Sequence, residues 1–469
     1  MYKAYITTLT NVRKHPNADR LLLADVFGNT VCVSTDYAEG EIGVYFPTDG
    51  QLSFEFAEKN NLLRKKDDAG NNIGGYMDPD KRNVTAIRLR GEKSDGLFLP
   101  LSCLTYTGVN MDTLNVGDII EGTVNGHEIC CKYIPRSNHG ARHQGQGGNK
   151  TRKKKIAVAP LFKEHADTEQ LAYNLHVFKP GDEIEITLKM HGTSQRTAHL
   201  PVFKKNKFSF WKWLRMEPCH APIYDWGYVS GTRRVVLENY EGGFYGSNEF
   251  REQHSKTFES KLLKGETVYY EVVGFQNDGK PIMGTVDNKK LQDKNFIKQY
   301  GETTVFSYGC SPDGKEGVGI TERKVPQSAI YVYRMTITNE DGEVIEYSPD
   351  FMRYRCEQMG VKTVPLFGKA IISADRVHFV APDGWDHDYL LKEGMTLGDL
   401  VMKIAEEYCG GTDPVGKTHV REGVVVRITN RAKFTAYKHK NFEFKCLSGI
   451  IVNSADAVDA VDESVLSEL

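Results

Sequence analysis

The residues that could do chemistry fall into a few short, widely separated clusters. In Asp182-Glu183-Ile184-Glu185-Ile186-Thr187-Leu188-Lys189-Met190 the apolar positions 184, 186, 188 and 190 alternate with polar ones. A strand of period two therefore turns Lys189 away from its apolar set and toward a cleft. Lys189-Met190-His191-Gly192 follows, and a glycine there lets the chain turn tightly and a ligand approach the backbone. Downstream, Val268-Tyr269-Tyr270-Glu271-Val272-Val273-Gly274 sets one acid inside an apolar strand, and Arg421-Glu422-Gly423-Val424-Val425-Val426-Arg427 sets another at the head of a second. Carboxylates in such runs are costly unless they meet a cation, a metal or a ligand hydroxyl. Lys438 and Lys440 share one face of a further strand by the same period. A nucleophilic lysine, two acids and a lysine pair suit chemistry on a nucleoside triphosphate. The amine attacks the α-phosphorus, the acids hold Mg²⁺ and ribose hydroxyls, and the lysine pair neutralises the phosphates.

These clusters, in this order, resemble the covalent nucleotidyltransferases and, within them, the ATP-dependent RNA ligases. KxxG is Lys189-Met190-His191-Gly192, the acidic strand motif is Tyr269-Tyr270-Glu271-Val272-Val273-Gly274, an aromatic strand is Ile330-Tyr331-Val332-Tyr333-Arg334, EGhVhR is Glu422-Gly423-Val424-Val425-Val426-Arg427, and KxK is Lys438-His439-Lys440. Short motifs in the right order carry weight that each alone lacks. The resemblance implies that Lys189 is adenylylated by ATP, with His191 and Gly192 completing its turn. It implies that Glu271 and Glu422 are the metal-associated acids (Mg²⁺ or Mn²⁺), and that Lys438 and Lys440 grip the α-phosphate. Tyr331 or Tyr333 would stack on adenine, a choice that one step of strand register reverses. Arg233 and Arg234 resemble the arginine that binds the 5′-phosphate end, His165-Ala166-Asp167-Thr168-Glu169-Gln170 stands where related ligases contact adenine, and Lys445 competes for the last motif.

The branch implied is the bacterial and phage one that seals breaks in duplexed RNA. His191 precedes the glycine where DNA ligases carry Asp, and only 24 residues follow Lys445, too few for the C-terminal domain of DNA ligases and capping enzymes. The expected substrate is RNA with 5′-phosphate and 3′-hydroxyl ends, duplexed or nicked, joined through a lysine-AMP and an RNA-adenylate. The alternatives are a synthetase-adjacent tRNA-binding or other nucleic-acid-binding protein, and a DNA ligase or capping-type enzyme.

The elements that must position these residues divide the chain of 469 residues. Residues 1–132 read as many short strands, the pattern of a small barrel or sandwich. His15-Pro16-Asn17-Ala18-Asp19-Arg20-Leu21, Gly43-Val44-Tyr45-Phe46-Pro47-Thr48-Asp49 and Ile87-Arg88-Leu89-Arg90-Gly91-Glu92-Lys93-Ser94-Asp95-Gly96-Leu97 resemble OB-type tRNA-binding modules. That resemblance implies an OB-like nucleic-acid-binding barrel. Residues 133–155 are basic, glycine-rich and almost free of apolar side chains, which predicts a flexible linker with an affinity for phosphate backbones. Residues 156–453 are expected to be the adenylyltransferase domain, α+β and ATP-grasp-like with antiparallel sheets, and 454–469 an acidic tail. Strands are expected at Glu183–Met190, Arg233–Leu237, Val268–Val273, Thr304–Tyr308, Ile330–Thr338 and Gly423–Ile428, and helices near Glu249–Lys264, Ser348–Met359 and Leu397–Tyr408. On this division, deleting residues 1–132 should spare lysine adenylylation and weaken nick sealing.

Composition narrows the class further. With 60 Lys+Arg against 62 Asp+Glu the net charge is −2, so a polyanion site must be a local concentration of charge. No apolar run reaches the ~18 residues of a membrane span, and the chain is read as soluble, cytoplasmic and monomeric. The 9 cysteines are odd in number and scattered, as reduced thiols are. A zinc site at Cys130-Cys131 with His139 and His143 is disfavoured by the adjacent spacing of the thiols. Phe203-Lys204-Lys205-Asn206-Lys207-Phe208-Ser209-Phe210-Trp211-Lys212-Trp213 interleaves aromatics with cations and reads as a hairpin with its aromatics in the core or, alternatively, as a nucleic-acid platform.

Overall fold

The computed structural model describes residues 2–66, 68–70, 72–134, 158–165, 168–208, 220–237, 240, 245 and 247–453. Most of the basic linker, the acidic tail, Ala166, Asp167 and the 209–219 part of the aromatic-cationic stretch lie outside the described residues. The chain forms two compact units. The first gathers the described residues up to 134 together with 287–298 and 441–453; the second takes those from 158 to 286 and from 299 to 440.

In the first unit Leu97–Pro100, Ile42–Phe46, Ala4–Thr8 and Ile119–Ile120 make an antiparallel sheet, and Thr10–Lys14, Leu21–Val26 and Asn29–Ser34 make a meander beside it in sequence. Ile6, Val44, Phe46, Leu52, Phe56 and Leu104 form the core. Among the described residues no single sheet closes on itself, so the expected barrel stands as several short sheets. The cause is local: the first strand ends at Thr8, Asn11 adopts φ 53°, and the register slips between Thr10 and Arg13. The strand thus bends into a second sheet as at a bulge. His15 of the tRNA-binding-like motif is buried, its Nε2 bonded to Leu89 O at 3.0 Å and its Nδ1 accepting the Asn17 N–H at 3.0 Å. It ties the loop after Lys14 to the end of the strand Ala86–Leu89. The sequence after Leu52 forms a helix, Phe54–Lys59, because Ser53 caps the Phe56 N–H.

The second unit holds two mostly antiparallel sheets. One runs Glu169–Gln170, Thr435–Lys440, Gly423–Ile428, Glu183–Lys189, Leu366–Ile372, Arg376–Val380, Asp386–Leu390. The other centres on Thr193–Phe208, Glu266–Gly274 and Ser328–Thr338. The alternation in the lysine strand has a clear physical use. Ile184 and Ile186 enter a core with Val424, Val426, Ile428 and the helix Leu397–Cys409, whose Val401, Ile404 and Ala405 are fully buried. Glu185, Thr187 and Lys189 fall on the opposite face.

Two expected strands are absent. Arg233–Leu237 is a loop with one bridge between Gly231 and Val236, because Thr232-Arg233-Arg234 turn the chain and the Thr232 hydroxyl accepts the Val235 N–H. Past Thr303–Thr304 the chain to Tyr308 leaves the sheet and turns with Tyr308 at φ 49°. The helices Pro349–Met359 and Leu397–Cys409 lie where they are expected, with Ser348 and Thr396 accepting the first-turn N–H groups, whereas the helix expected over Glu249–Lys264 ends at Lys256 and continues as turns. Among the described residues no helix is long and apolar enough to cross a membrane.

Candidate active site

The two sheets of the second unit meet at a cavity lined by Lys189, Glu271, Arg233, Tyr333, His165 and Thr168, with Thr187, Val425, Ala436, Arg427 and Phe434 as further wall. Register explains the convergence. Lys189 pairs with Gly423, so the residue before that glycine, Glu422, comes beside the lysine: Lys189 Nζ lies 2.6 Å from Glu422 Oε1. Gly423 pairs in turn with Lys440, and Val425 with Lys438, which puts both lysines of the KxK motif on the strand next to the acid's.

Two glycines permit this closeness. A Cβ on Gly192 would fall 2.4 Å from Val272 O and 2.9 Å from Glu271 Cγ, so only glycine lets the nucleophile turn lie against the Glu271 strand. A Cβ on Gly423 would fall 2.1 Å from His439 O. The two motif glycines are there for contact between strands.

The electrostatics follow from burial. Glu422 is 3% exposed, and burial alone would raise its carboxyl, but the neighbouring cations, Lys189 first and Lys440 with it, outweigh it and hold the pKa below the usual carboxylate range. Its Oε2 is buried without a hydrogen-bond partner, a lone acceptor of the kind a divalent cation satisfies. His191 is pushed down to about 3 by burial, against the pull of Glu422 at 3.9 Å, and is neutral at physiological pH. Among the described residues no group of three or more His, Cys, Asp or Glu side chains is placed to hold a metal on its own. An ion at Glu271 and Glu422 would therefore draw further ligands from water or phosphate.

A bulge separates the two tyrosines. Glu271 pairs with Tyr331 and Tyr270 with Val332, but Tyr269 pairs with Arg334, leaving Tyr333 as the extra residue. Tyr333 lines the cavity with its hydroxyl 2.9 Å from Ser194 Oγ. Tyr331 does not line it; it is 5% exposed, with Lys362 Nζ 5.8 Å from its ring and its phenol pushed up to about 12 by burial. Arg233 lines the cavity and Arg234 does not. Lys445 belongs to the first unit, where it pairs with the buried Asp95. That leaves Lys438 and Lys440 as the pair beside Glu422.

Several lining residues had no motif to mark them. Phe434 stacks among His165, Arg334 and Arg427. At the end away from Lys189, Glu185 is held by Arg353 at 3.0 Å. Buried charges in a strand, such as Glu185 two positions before Thr187, were the available signal.

No protein-family model and no curated protein matches this chain. Solved structures do. A mutant of Naegleria gruberi RNA ligase with ATP and Mn superposes with a TM-score of 0.52 at 15% identity, over 94% of this chain and 98% of that one. A second mutant of that ligase with AMP and Mn gives 0.51 at 14%, covering 94% and 97%, and an apo mutant 0.52 at 14%, covering 94% and 97%. The likeness shows a shared fold over nearly the whole chain. The chemistry has to come from the residues.

Proposed function

We propose that this chain is an ATP-dependent RNA ligase that seals breaks in duplexed RNA through a lysine-AMP and an RNA-adenylate. The observation that carries the reading is the convergence of Lys189 and Glu271 on one cavity from motifs more than 80 residues apart, with Glu422 delivered beside the lysine, its Oε1 2.6 Å from Lys189 Nζ. Its support is the order of the motifs together with a fold shared with a ligase solved with ATP and Mn. Lys189 Nζ attacks the α-phosphorus of ATP, the bond to the β-phosphate oxygen breaks, and pyrophosphate leaves. The AMP then passes to an RNA 5′-phosphate, freeing the lysine, and a 3′-hydroxyl displaces AMP as the phosphodiester forms.

In this scheme Glu422 holds the lysine before ATP binds and, with Glu271, would hold the divalent ion that neutralises phosphate charge. Lys438 and Lys440 compensate the α-phosphate, Arg233 meets a phosphate, and Tyr333 stacks on adenine against Val425, with His165 and Thr168 at the base. The strands of the first unit serve as an OB-like surface for the RNA, and the basic linker adds sequence-blind attraction.

The test is a chase. Protein labelled with α-labelled ATP and Mg²⁺ is mixed with 5′-phosphorylated nicked duplexes of RNA and of DNA, with GTP in place of ATP as a parallel arm. Label passing from protein to RNA ends, with ligated RNA as product, is expected. An adduct formed with GTP, or chased only into DNA, would assign the chain to a capping or DNA-joining enzyme instead.

A further inference from the structure

Behind the nucleophile turn lies a buried cluster that no motif marks: Phe306, Tyr308 and His419 packed around His191. The lysine strand ends at Lys189 and the next strand begins at Thr193, so residues 190–192 cross from one sheet to the other without a ladder of their own. The His191 N–H donates instead to the Tyr308 hydroxyl at 2.8 Å. Phe306 meets the His191 ring at 4.6 Å and the His419 ring at 5.1 Å, and Tyr308 meets His419 edge-on at 4.7 Å.

The cluster is rigid by construction. Tyr308 is 3% exposed and held at φ 49°, with Gly309 at φ 76° after it, a left-handed pair that turns the phenol back into the protein. Such a conformation in a bulky residue is kept only where its surroundings enforce it. His419 is fully buried, with Nδ1 bonded to Val420 O at 3.0 Å. A Cβ on Gly416 would fall 2.2 Å from His419 Nε2, so the loop closes over the imidazole only with glycine there. Asp413 Oδ1 fixes that loop by accepting the Val415 and Gly416 N–H groups, each at 2.8 Å. Three residues after His419 comes Glu422. One buried block thus braces both the turn that follows Lys189 and the segment that delivers Glu422.

We propose that Tyr308 is a positioning residue for the attack of Lys189 on ATP, acting through the backbone of His191. The inference rests on the ligase reading. Tyr308 forms no bond to substrate; its hydroxyl fixes the turn from which the nucleophile projects, and a displacement there reaches Lys189 Nζ directly. In-line attack tolerates little misplacement, of the order of 1 Å for a hundredfold loss. Joining of RNA that already carries the AMP makes no bond to Lys189, so that step does not depend on the turn in the same way.

The experiment uses the full chain with Tyr308→Phe. Single-turnover adduct formation from labelled ATP should fall at least about tenfold at saturating ATP, while the half-saturating ATP concentration stays within about threefold. Sealing of a pre-adenylylated nicked RNA should also stay within about threefold of wild type, which shows that the variant is folded. Adduct formation at the wild-type rate would overturn the proposal, as would equal loss of both steps, which marks a general structural role. Absence of an adduct in the wild type would overturn the ligase reading itself and separates that failure from this one.

Discussion

Gly192 offers the sharpest residue-level test of how the site is assembled, because its hydrogen is all that fits between the nucleophile turn and the Glu271 strand. Gly192→Ala should abolish lysine labelling and cost about 1–3 kcal/mol by overpacking, measured by urea denaturation; a labelled, fully stable variant would contradict the packing. His191 makes a second prediction through pH. Its folded pKa near 3 lies below the ordinary histidine value, so the unfolded chain binds the proton first and stability, complete above pH 6.5, falls as pH drops toward 3. His254 and His419 are depressed by burial in the same direction. Between pH 6 and 5, above most carboxylate titration, His191→Gln should flatten the pH dependence of the unfolding free energy measured in urea by up to about 1.4 kcal/mol per pH unit; an unchanged slope would mean that His191 is protonated in the fold. Lys189, Glu271 and Glu422 were legible because each sits in a contiguous run whose apolar neighbours make the charge conspicuous. Tyr308 and His419 were not, since what gives them meaning is contact across more than 100 residues of chain.

At the scale of elements, period-two alternation read the faces of the lysine strand directly, because its Ile184 and Ile186 side packs into the core with a helix and its Lys189 side opens on a cavity. It failed at Arg233–Leu237, where a β-branched run is interrupted by a side-chain-capped turn, and it could not separate Tyr331 from Tyr333, because a bulge is invisible to a period. The last motif was equally undecided between KxK and Lys445. The strand pairing separates these residues, and mutation can confirm it: Lys440→Ala should lose adenylylation with stability little changed, whereas Lys445→Ala should keep adenylylation and lose about 3 kcal/mol by stranding the buried Asp95. Lost labelling in Lys445→Ala, in protein shown by its melt to be folded, would put the wrong lysine at the phosphate.

On the scale of the whole molecule the division of the chain is not a cut at one point. Residues 287–298 and 441–453 group with the N-terminal strands, where Arg88 pairs with Glu443 at 3.1 Å and with Asp293 at 3.5 Å. Linear composition shows where a chain changes character, and it has no way to show that two later segments return to an earlier unit. Deleting residues 1–132 therefore removes the partners of those segments. The deletion is expected to lower the melting temperature and to impair lysine adenylylation along with sealing; a truncated protein that melts and labels like wild type would show that those segments need no N-terminal partner. Whether Lys189 is a nucleophile toward ATP is read by incubating wild type and Lys189→Ala with ATP and Mg²⁺ and mapping any adduct by peptide mass spectrometry. One AMP on Lys189 is expected, through an acid-labile bond that resists neutral hydroxylamine, and none in the variant. An unmodified wild type, or AMP on another residue, would contradict it.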